Sequence, residues 1–379
     1  MTSDSEYLNA LTGAKRIVIK IGSALLIGDE SGALARDWLT ALSQDIAMMR
    51  ARQTEVLIVS SGAIALGRAR LGLAGQSLAL EQKQACAAAG QARLTQSYED
   101  ALSPHNIVTA QALLTLMDTE NRRRWLNARS TLETLLSLGA VPIINENDTV
   151  ATDEIRYGDN DRLAARVAQM VGADILVLLS DIDGLYTGDP RSDDGAEHIP
   201  VIEAITPAIE AMAGGVNQGA GFGSGGMVTK IAAARIAVQA GCHMVITRGE
   251  TLRPISALEG GATASWFKAS ADPIAARKQW IVGALKPAGT LTVDAGAIAA
   301  LGRGKSLLPA GVTAISGVFE KGDAVTIIGP DGAQIARGLS AYGALDAGLI
   351  IGKNSGDIES ALGYNAGDAI VHRDDLVML

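Results

Sequence analysis

Short apolar runs alternate along the chain with longer segments in which apolar residues recur every three or four positions. The runs, such as EVLIVS at Glu55–Ser60 and DILVLL at Asp174–Leu179, are typical of buried strands, and the recurring spacing is typical of helices. Strands and helices that alternate in this way need crossover connections, which predicts an α/β fold with a parallel-rich open sheet and helices on both faces. The other predicted strands are Lys15–Ile21, Asn106–Gln111, Val141–Asn145 and His243–Thr247, and the predicted helices are Leu34–Gln53, an Ala-rich segment after Ser61-Gly62, Leu80–Leu102, Thr119–Leu138, Asp159–Val171 and Gly226–Ala240.

This alternation changes at two places. Asp183–Gly226 is rich in Gly, Asp and Pro, which predicts a long loop with at most a short helix at Pro207–Met212. After a predicted helix at Pro273–Trp280, short strands separated by turn residues indicate a small β-rich domain. The predicted domains are 1–275 and 286–379, the second with strands at Gly289–Asp294, Gly311–Val318, Asp323–Ile328 and Ala333–Gly338.

Length, composition and charge indicate more than one domain and exclude some classes of protein. A chain of 379 residues exceeds what one core usually supports, and with 48% hydrophobic but only 3% aromatic residues its cores must be built from Ala, Val, Ile and Leu. The formal net charge of -9 gives no general footprint for nucleic acid or an anionic membrane. No apolar run reaches the roughly 18 residues that a membrane span needs. The N-terminus lacks the basic-then-apolar order of a secretory signal, so the expected location is the cytoplasm.

The cysteines and histidines indicate neither a metal site nor a hydrolase. Cys86 and Cys242 are far apart and outside any CxxC pattern, so we expect two reduced, buried thiols. The histidines are scattered, without metal-ligand spacing or a partner nucleophile, and they are His105, His198, His243 and His372.

A lysine stands at the end of the first predicted strand. Lys20 is followed by Gly22-Ser23, where a turn can present backbone N–H groups to phosphate oxygens. A lysine placed there can neutralise phosphate charge, although a lysine that merely leaves the sheet is the alternative.

A glycine-rich run precedes a second lysine. Gly219–Gly226 leads into Lys230 on a predicted helix, and glycines allow close backbone approach while the helix N-terminus favours anions. The run contains one GxGxxG match, but no strand comes directly before it, and the Walker A pattern is absent from the chain. We interpret it as a phosphate cradle, with a flexible linker as the alternative.

Two short polar loops are crowded with carboxylates and amides. Asn145-Glu146-Asn147-Asp148 ends the Val141 strand, and Gly158-Asp159-Asn160-Asp161 opens the next helix. A turn and an N-cap would use only some of these groups. The others suit an ammonium group, a Mg²⁺ ion or lysine side chains.

A fourth polar strand end completes the set. Ser180-Asp181 follows the Asp174 strand and could bind a nucleotide or simply cap its loop. In a parallel sheet all these strand ends meet at one edge. Two lysines, a glycine cradle and clustered Asp and Asn are what phosphoryl transfer requires, because that chemistry depends on positioning and charge neutralisation.

Six ordered motifs make the chain resemble the glutamate 5-kinases, a family of the amino-acid kinase superfamily with a C-terminal PUA domain. The resemblance covers nearly the whole chain and implies ATP-dependent phosphorylation of the L-glutamate side-chain carboxylate, the first step of proline biosynthesis. The motifs are KIGSALL at Lys20, SSGAIALG at Ser60, INENDTVAT at Ile144, GDNDRLAA at Gly158, SDIDGLYTGDPR at Ser180 and GSGGMVTK at Gly223.

The resemblance also implies roles for individual residues. Lys20 and Lys230 would hold the ATP phosphates and the transferred phosphoryl group, and Asp161 would orient both lysines. Mg²⁺ would accompany ATP, the γ-glutamyl phosphate would pass to a reductase, and family members are commonly inhibited by proline and oligomeric, so a homo-oligomer is expected. Glutamate would be bound by Ser61, Asp148 and Asn160 with Asn145 and Asp159 nearby, and the nucleotide pocket would be lined by Ser180, Asp181, Gly223, Ser224, Gly225, Gly226, Met227, Val228, Thr229 and Lys230.

Two other functions stay open at this point. A kinase for aspartate, acetylglutamate or carbamate would share the fold of the first domain. PUA domains are best known for binding RNA, so an RNA-binding PUA protein is the second alternative. Lys286–Leu379 carries seven Lys and Arg against ten Asp and Glu, the opposite of a basic patch, which counts against RNA.

Overall fold

The chain forms two compact units, Met1–Pro273 and Ile274–Leu379. The computed structural model describes residues 3–27, 33–150, 160–214, 226–269, 275, 286–365 and 367–379. The two domains predicted at 1–275 and 286–379, and the functions expected of them, stay predictions. Among the described helices, none is both long enough and apolar enough to cross a membrane.

The first unit is built on one eight-stranded sheet. The strands described in this unit are, in chain order, β1 (Arg16–Ile21), β2 (Glu55–Ser60), β3 (Thr109–Leu114), β4 (Val141–Glu146), β5 (Ile175–Ser180), β6 (Leu185–Tyr186), β7 (His198–Ile199), β8 (Val201–Ile202), β9 (His243–Arg248) and β10 (Ala264–Phe267). Of these, β6 and β7 form a separate two-stranded hairpin, and the other strands form the large sheet. The strand order of the large sheet is β3-β4-β2-β1-β5-β9-β10-β8. The first six strands in that order run parallel, whereas β10 is antiparallel to β9 and parallel to β8. The predicted parallel-rich open sheet is confirmed.

Helices cover both faces of this sheet. Alternate residues of each central strand face opposite sides, so each of these strands contributes side chains to two cores. The helices are α1 (Ser3–Gly13), α2 (Ser23–Leu26), α3 (Arg36–Ala51), α4 (Ala63–Arg70), α5 (Leu80–Leu102), α6 (Leu116–Glu120), α7 (Arg122–Ser137), α8 (Asn160–Val171), α9 (Pro207–Gly214), α10 (Met227–Gln239) and α11 (Pro254–Glu259). Ile17, Ile19 and Ile21 of β1 belong to the core that includes α3 and α5, and Val18 belongs to the core that includes α8 and α10. By the two-residue period of a strand, Lys20 lies on the same side of β1 as Val18, facing α8 and α10.

Helices α4 and α5 touch backbone to backbone. A Cβ added at Gly67 would lie 1.8 Å from the Cys86 carbonyl oxygen, and one added at Gly90 would lie 1.9 Å from the Ala63 carbonyl oxygen. No side chain larger than hydrogen fits at either position without moving a helix. The contact fixes α4, which begins directly after Ser61-Gly62, against α5.

Some elements differ from the predictions. The helix predicted at Thr119–Leu138 is two helices, because Asn121 leaves the helix and its side-chain oxygen accepts a hydrogen bond from Arg124 N (3.1 Å), which caps α7. The segment predicted as a loop contains the β6–β7 hairpin and β8, which are too short to show a period. The helix predicted at Pro273–Trp280 lies outside the described residues except for Ala275. Both cysteines, Cys86 and Cys242, are free and buried, as predicted.

The second unit has its own core and a five-stranded sheet. In spatial order its strands are β12 (Val312–Gly317), β11 (Gly289–Val293), β13 (Ala324–Ile328), β14 (Gln334–Leu339) and β15 (Leu376–Met378). Among these described strands, β11 and β13 pair in parallel and the other neighbours pair antiparallel. The β-rich prediction is confirmed, but it missed three helices that pack on this core. The helices are α12 (Ala295–Gly302), α13 (Ala344–Ile350) and α14 (Ile358–Leu362).

Candidate active site

The carboxyl ends of four adjacent strands meet at one edge of the large sheet. β1 pairs with β2 and β5 on its two sides, so that Lys20 lies beside Val59 and Leu178. β2 pairs in turn with β4, which ends near Asn145. The parallel sheet thus collects the predicted strand-end residues in one place, as expected for ligand sites of this architecture.

A carboxylate between two lysines forms the centre of this edge. Lys20 Nζ lies 2.5 Å from Asp161 Oδ1, and Lys230 Nζ lies 3.4 Å from Asp161 Oδ2. Asp161 is only 1% exposed, and the side chains of Lys20 and Lys230 are 12% and 7% exposed. One buried acid therefore holds two ammonium groups that come from different elements.

The charge state of this cluster is fixed by its surroundings. Burial by itself raises the pKa of Asp161, but the attraction of Lys20 and Lys230 and a hydrogen bond from Thr229 Oγ1 (3.1 Å) outweigh it and lower the pKa to about 2. The acid is ionised at neutral pH. With two lysines and one aspartate, the cluster carries one excess positive charge, which suits a phosphate group.

Two helices begin at this cluster and add to its positive potential. Asn160 and Asp161 are the first residues of α8. Gly226 precedes α10 with extended φ and ψ angles, and Lys230 follows in the first turn of that helix. The helix dipole favours anions at both N-termini.

A second set of polar side chains lies beside the lysines. Asn160 Nδ2 donates to Ser61 Oγ (2.7 Å), Asn145 Oδ1 (3.0 Å) and the Ser60 carbonyl oxygen (3.2 Å). Ser61 stands at the start of α4, where Gly62 takes a left-handed φ of 112° that turns the chain out of β2. The structure brings Ser61, Asn145 and Asn160 together, as the sequence predicts.

Asp148 is a partly buried carboxylate in the loop after β4. Burial raises its pKa to about 6. Such a group is a carboxylate at neutral pH but takes up a proton in mildly acidic solution.

Ser180 and Asp181 follow β5, as predicted. Ser180 is buried and donates to Asp181 Oδ1 (3.1 Å), and Arg191 Nη2 donates to Asp181 Oδ2 (2.8 Å). Partial burial raises the pKa of Asp181, but these two hydrogen bonds and the charge of Lys230 outweigh it, so the pKa is lowered. Asp181 is therefore an ionised and largely exposed group directly after β5.

The structure describes only some of the other predicted residues. Met227 is buried at the start of α10, whereas Val228 is 57% exposed. Four predicted residues lie outside the described part of the chain, and they are Asp159, Gly223, Ser224 and Gly225.

Sequence reasoning missed two polar residues on α5 that contact the site. Gln91 Oε1 accepts a hydrogen bond from Asn145 Nδ2 (2.8 Å), and the buried Tyr98 hydroxyl lies 2.9 Å from Ser60 Oγ. Their spacing of seven residues places both on one face of the helix, which is the only local indication in the sequence.

The fold and the site define a phosphotransferase of the amino-acid kinase class. The model of the amino acid kinase family matches residues 15–248, and that of the PUA domain matches residues 289–362. The glutamate 5-kinase of Paramagnetospirillum magneticum is 59% identical over 371 residues, which cover 98% of this chain and 100% of the relative. That of Caulobacter vibrioides is 58% identical over 378 residues, covering 100% of both chains. The chain belongs to the glutamate 5-kinase family.

Among solved structures, a UMP kinase from Ureaplasma parvum aligns with a TM-score of 0.46 at 17% identity. The alignment covers 67% of this chain and 98% of that one.

Proposed function

We propose that this protein transfers the γ-phosphoryl group of ATP to the side-chain carboxylate of L-glutamate and so forms γ-glutamyl phosphate. The observation that carries the proposal is the Lys20–Asp161–Lys230 cluster, at 2.5 and 3.4 Å, at the carboxyl edge of a parallel sheet. The reaction joins two anions, so its main requirement is positive charge held in a fixed place.

In this proposal the two lysines are catalytic and Asp161 positions them. Lys20 and Lys230 bind the phosphates and neutralise the charge that builds up on the transferred group. Asp161 holds both ammonium groups before substrate arrives, so little reorganisation is needed during the reaction. The turn at Gly22 and the N-termini of α8 and α10 supply backbone N–H groups to the same anion.

The polar set beside the lysines would bind glutamate. Ser61 offers its hydroxyl proton to a substrate carboxylate, and Asp148 offers a negative charge to the substrate ammonium group. The nitrogen of Asn160 already donates to Ser61 and Asn145, so Asn160 offers its amide oxygen to that ammonium group. Asn145 and Asp159 are proposed to support them. This arrangement would direct the side-chain carboxylate of glutamate toward the lysines.

The nucleotide would lie along the β5 and α10 side of the site. Ser180, Asp181 and the segment Gly223–Lys230 are proposed to line its pocket. Mg²⁺ is proposed to arrive with ATP, since this ion is usually held by phosphate oxygens with one or two carboxylates, and it would draw charge away from the phosphates. The carboxylates proposed to lie near that ion are those of Asp161 and Asp181, whose pKa values are both lowered. In the described part of the chain, no group of three or more His, Cys, Asp or Glu side chains could hold a metal ion.

The cellular setting follows from the same proposal. The enzyme would act in the cytoplasm at the first step of proline biosynthesis and pass its product to a γ-glutamyl phosphate reductase. We also propose a homo-oligomer whose activity responds to proline, with the PUA unit in an accessory role and without RNA as a partner.

The purified protein is expected to release ADP only when glutamate, ATP and Mg²⁺ are all present. Hydroxylamine should trap an acyl phosphate, giving γ-glutamyl hydroxamate in step with ADP. A coupled ADP assay and a colorimetric hydroxamate assay on the same samples measure both quantities.

A panel of aspartate, N-acetylglutamate and carbamate provides the comparison. Faster turnover with any of these than with glutamate would overturn the substrate assignment while leaving the kinase class in place. ADP release without hydroxamate would instead indicate ATP hydrolysis.

Glutamate affinity is expected to weaken as the pH falls through about 6. Burial raises the pKa of Asp148 to about 6, so above that pH the carboxylate attracts the substrate ammonium group and below it the neutral acid does not. The KM for glutamate should rise about tenfold for each pH unit below the pKa, because only the ionised form binds. The side chain of free glutamate titrates lower, near pH 4.3.

Initial rates between pH 5 and 8 on the wild type and on Asp148→Asn test this expectation. The variant should have a high KM throughout and no inflection near pH 6. An identical inflection in the variant would assign the pH dependence to another group.

A further inference from the structure

Gln91 on α5 contacts the proposed glutamate site through Asn145. Its Oε1 accepts a hydrogen bond from Asn145 Nδ2 at 2.8 Å. Asn145 is only 2% exposed, so its amide has few alternative partners. The Gln91 side chain itself is half-buried, and its Nε2 is directed toward Thr95 Oγ1 at 3.4 Å.

The Asn145 amide is held in one orientation from both ends. Its Oδ1 accepts from the Glu146 backbone N (2.8 Å) and from Asn160 Nδ2 (3.0 Å). A carboxamide has one accepting oxygen and one donating nitrogen, so with Oδ1 committed to these donors Nδ2 must face an acceptor. Gln91 Oε1 is that acceptor.

This orientation determines which groups the substrate meets. Because Asn145 presents its oxygen to Asn160, Asn160 points its nitrogen toward Asn145 and Ser61. Ser61 Oγ then accepts from Asn160, which leaves the hydroxyl proton of Ser61 to be donated elsewhere. Reversing the Asn145 amide would place two NH₂ groups against each other and disturb the direction of each bond in this series.

We propose that Gln91 is a positioning residue for the glutamate site, acting through Asn145 on Asn160 and Ser61. This inference rests on the proposed function, because it assumes that Ser61 and Asn160 bind glutamate. It makes α5 part of the substrate site although no residue of α5 was predicted there.

The packing of α5 supports this role. Gly90, directly before Gln91, lies so close to the Ala63 carbonyl that an added Cβ would be 1.9 Å from it. Ala63 is the first residue of α4 and stands two residues after Ser61. The same backbone contact therefore sets the distance of Gln91 from Asn145 and the place where Ser61 leaves β2.

Gln91→Leu is expected to raise the KM for glutamate about five- to twentyfold, the effect of a lost hydrogen bond that leaves a buried amide without its acceptor. The KM for ATP and kcat should stay within about twofold, since the Gln91 side chain acts through its hydrogen bond with Asn145 and its neighbour on α5 is Thr95. Gln91→Ala should behave in the same way, which guards against an effect of crowding by leucine. The matched control is Gln96→Leu on the same helix, whose Nε2 donates to Asp100 on the surface (2.7 Å), and its KM for glutamate should not change.

A double-mutant cycle separates positioning from a general loss of structure. If Gln91 acts through Asn145, Gln91→Leu should add less than about twofold to the KM of Asn145→Ala. Fully additive effects, or equal increases in the KM for glutamate and ATP, would overturn the inference. A wild-type KM in Gln91→Leu and Gln91→Ala would do so as well, with the proposed function intact, whereas wild-type protein that forms no hydroxamate from glutamate would defeat the proposed function itself.

Discussion

Replacing Lys230 or Lys20 with methionine is expected to lower kcat about a hundredfold to a thousandfold. Methionine keeps most of the side-chain length but removes the charge that the proposed reaction needs as two anions approach. The KM for glutamate should change little, because a group that acts mainly on the transition state affects kcat more than ground-state binding. Steady-state kinetics with the hydroxamate assay measures both constants.

Lys15→Met is the control for these substitutions. Lys15 is exposed just before β1, at the opposite end of the strand from Lys20, and should be silent in the assay. If Lys20→Met and Lys230→Met raised the KM for glutamate at unchanged kcat, the division of roles between the lysines and the glutamate site would be wrong.

The second large effect is expected from Asp161→Asn. The change keeps the shape but leaves two nearly buried ammonium groups without their shared carboxylate, so unfolding of the first unit should become easier by about 3–5 kcal/mol. Turnover should also be lost, because the lysines are no longer held. Urea unfolding at neutral pH, followed by circular dichroism, gives the change in free energy of unfolding.

The difference in free energy of unfolding between the wild type and Asp161→Asn should depend on pH, which provides a stricter test. Asp161 has a folded pKa of about 2, below its unfolded value of 3.8, so its ionisation stabilises the fold above pH 3.8, and this contribution is lost as the pH falls toward 2. The gap between wild type and Asp161→Asn should therefore narrow over that interval. Asp45→Asn is the control, since Asp45 is equally buried but bonds to Arg253 and to the start of α11 and should destabilise without changing kcat. A constant gap from pH 4 to pH 2 would show that the lysines do not stabilise the ionised acid.

Much of the parallel sheet could be predicted because its central strands are buried on both faces. β1 and β5 are nearly continuous apolar runs, which is how strands covered on both sides appear in a sequence. The same logic predicted that Lys20, Asn145 and Ser180 meet, because parallel strands end at a common edge. β8 and β10 were missed because strands of two and four residues are too short to show a period.

The residue patterns could not predict which side chains of the site contact each other, because the partners are distant in sequence. Asp161 and Lys20 are far apart in sequence, so only the family resemblance implied that they pair, and the folded chain adds the 2.5 Å contact between them. Gln91 and Gln96 are the same residue type on one helix, and only their positions relative to Asn145 distinguish them. The split of the predicted Thr119–Leu138 helix depended on Asn121, whose capping role competes with its place inside a helix.

The close contact of α4 and α5 has a consequence for reading mutational scans of this protein. Gly67 and Gly90 bind nothing in the proposed mechanism, yet a methyl group at either would separate α4, which follows Ser61, from α5, which carries Gln91. Variants at these glycines should lose activity, as variants at the glutamate-site residues do. A mutational scan ranked by activity alone would therefore assign the two glycines to the binding pocket. Abundance measured beside activity would show whether the altered helix spacing lowers the amount of folded enzyme or distorts its site.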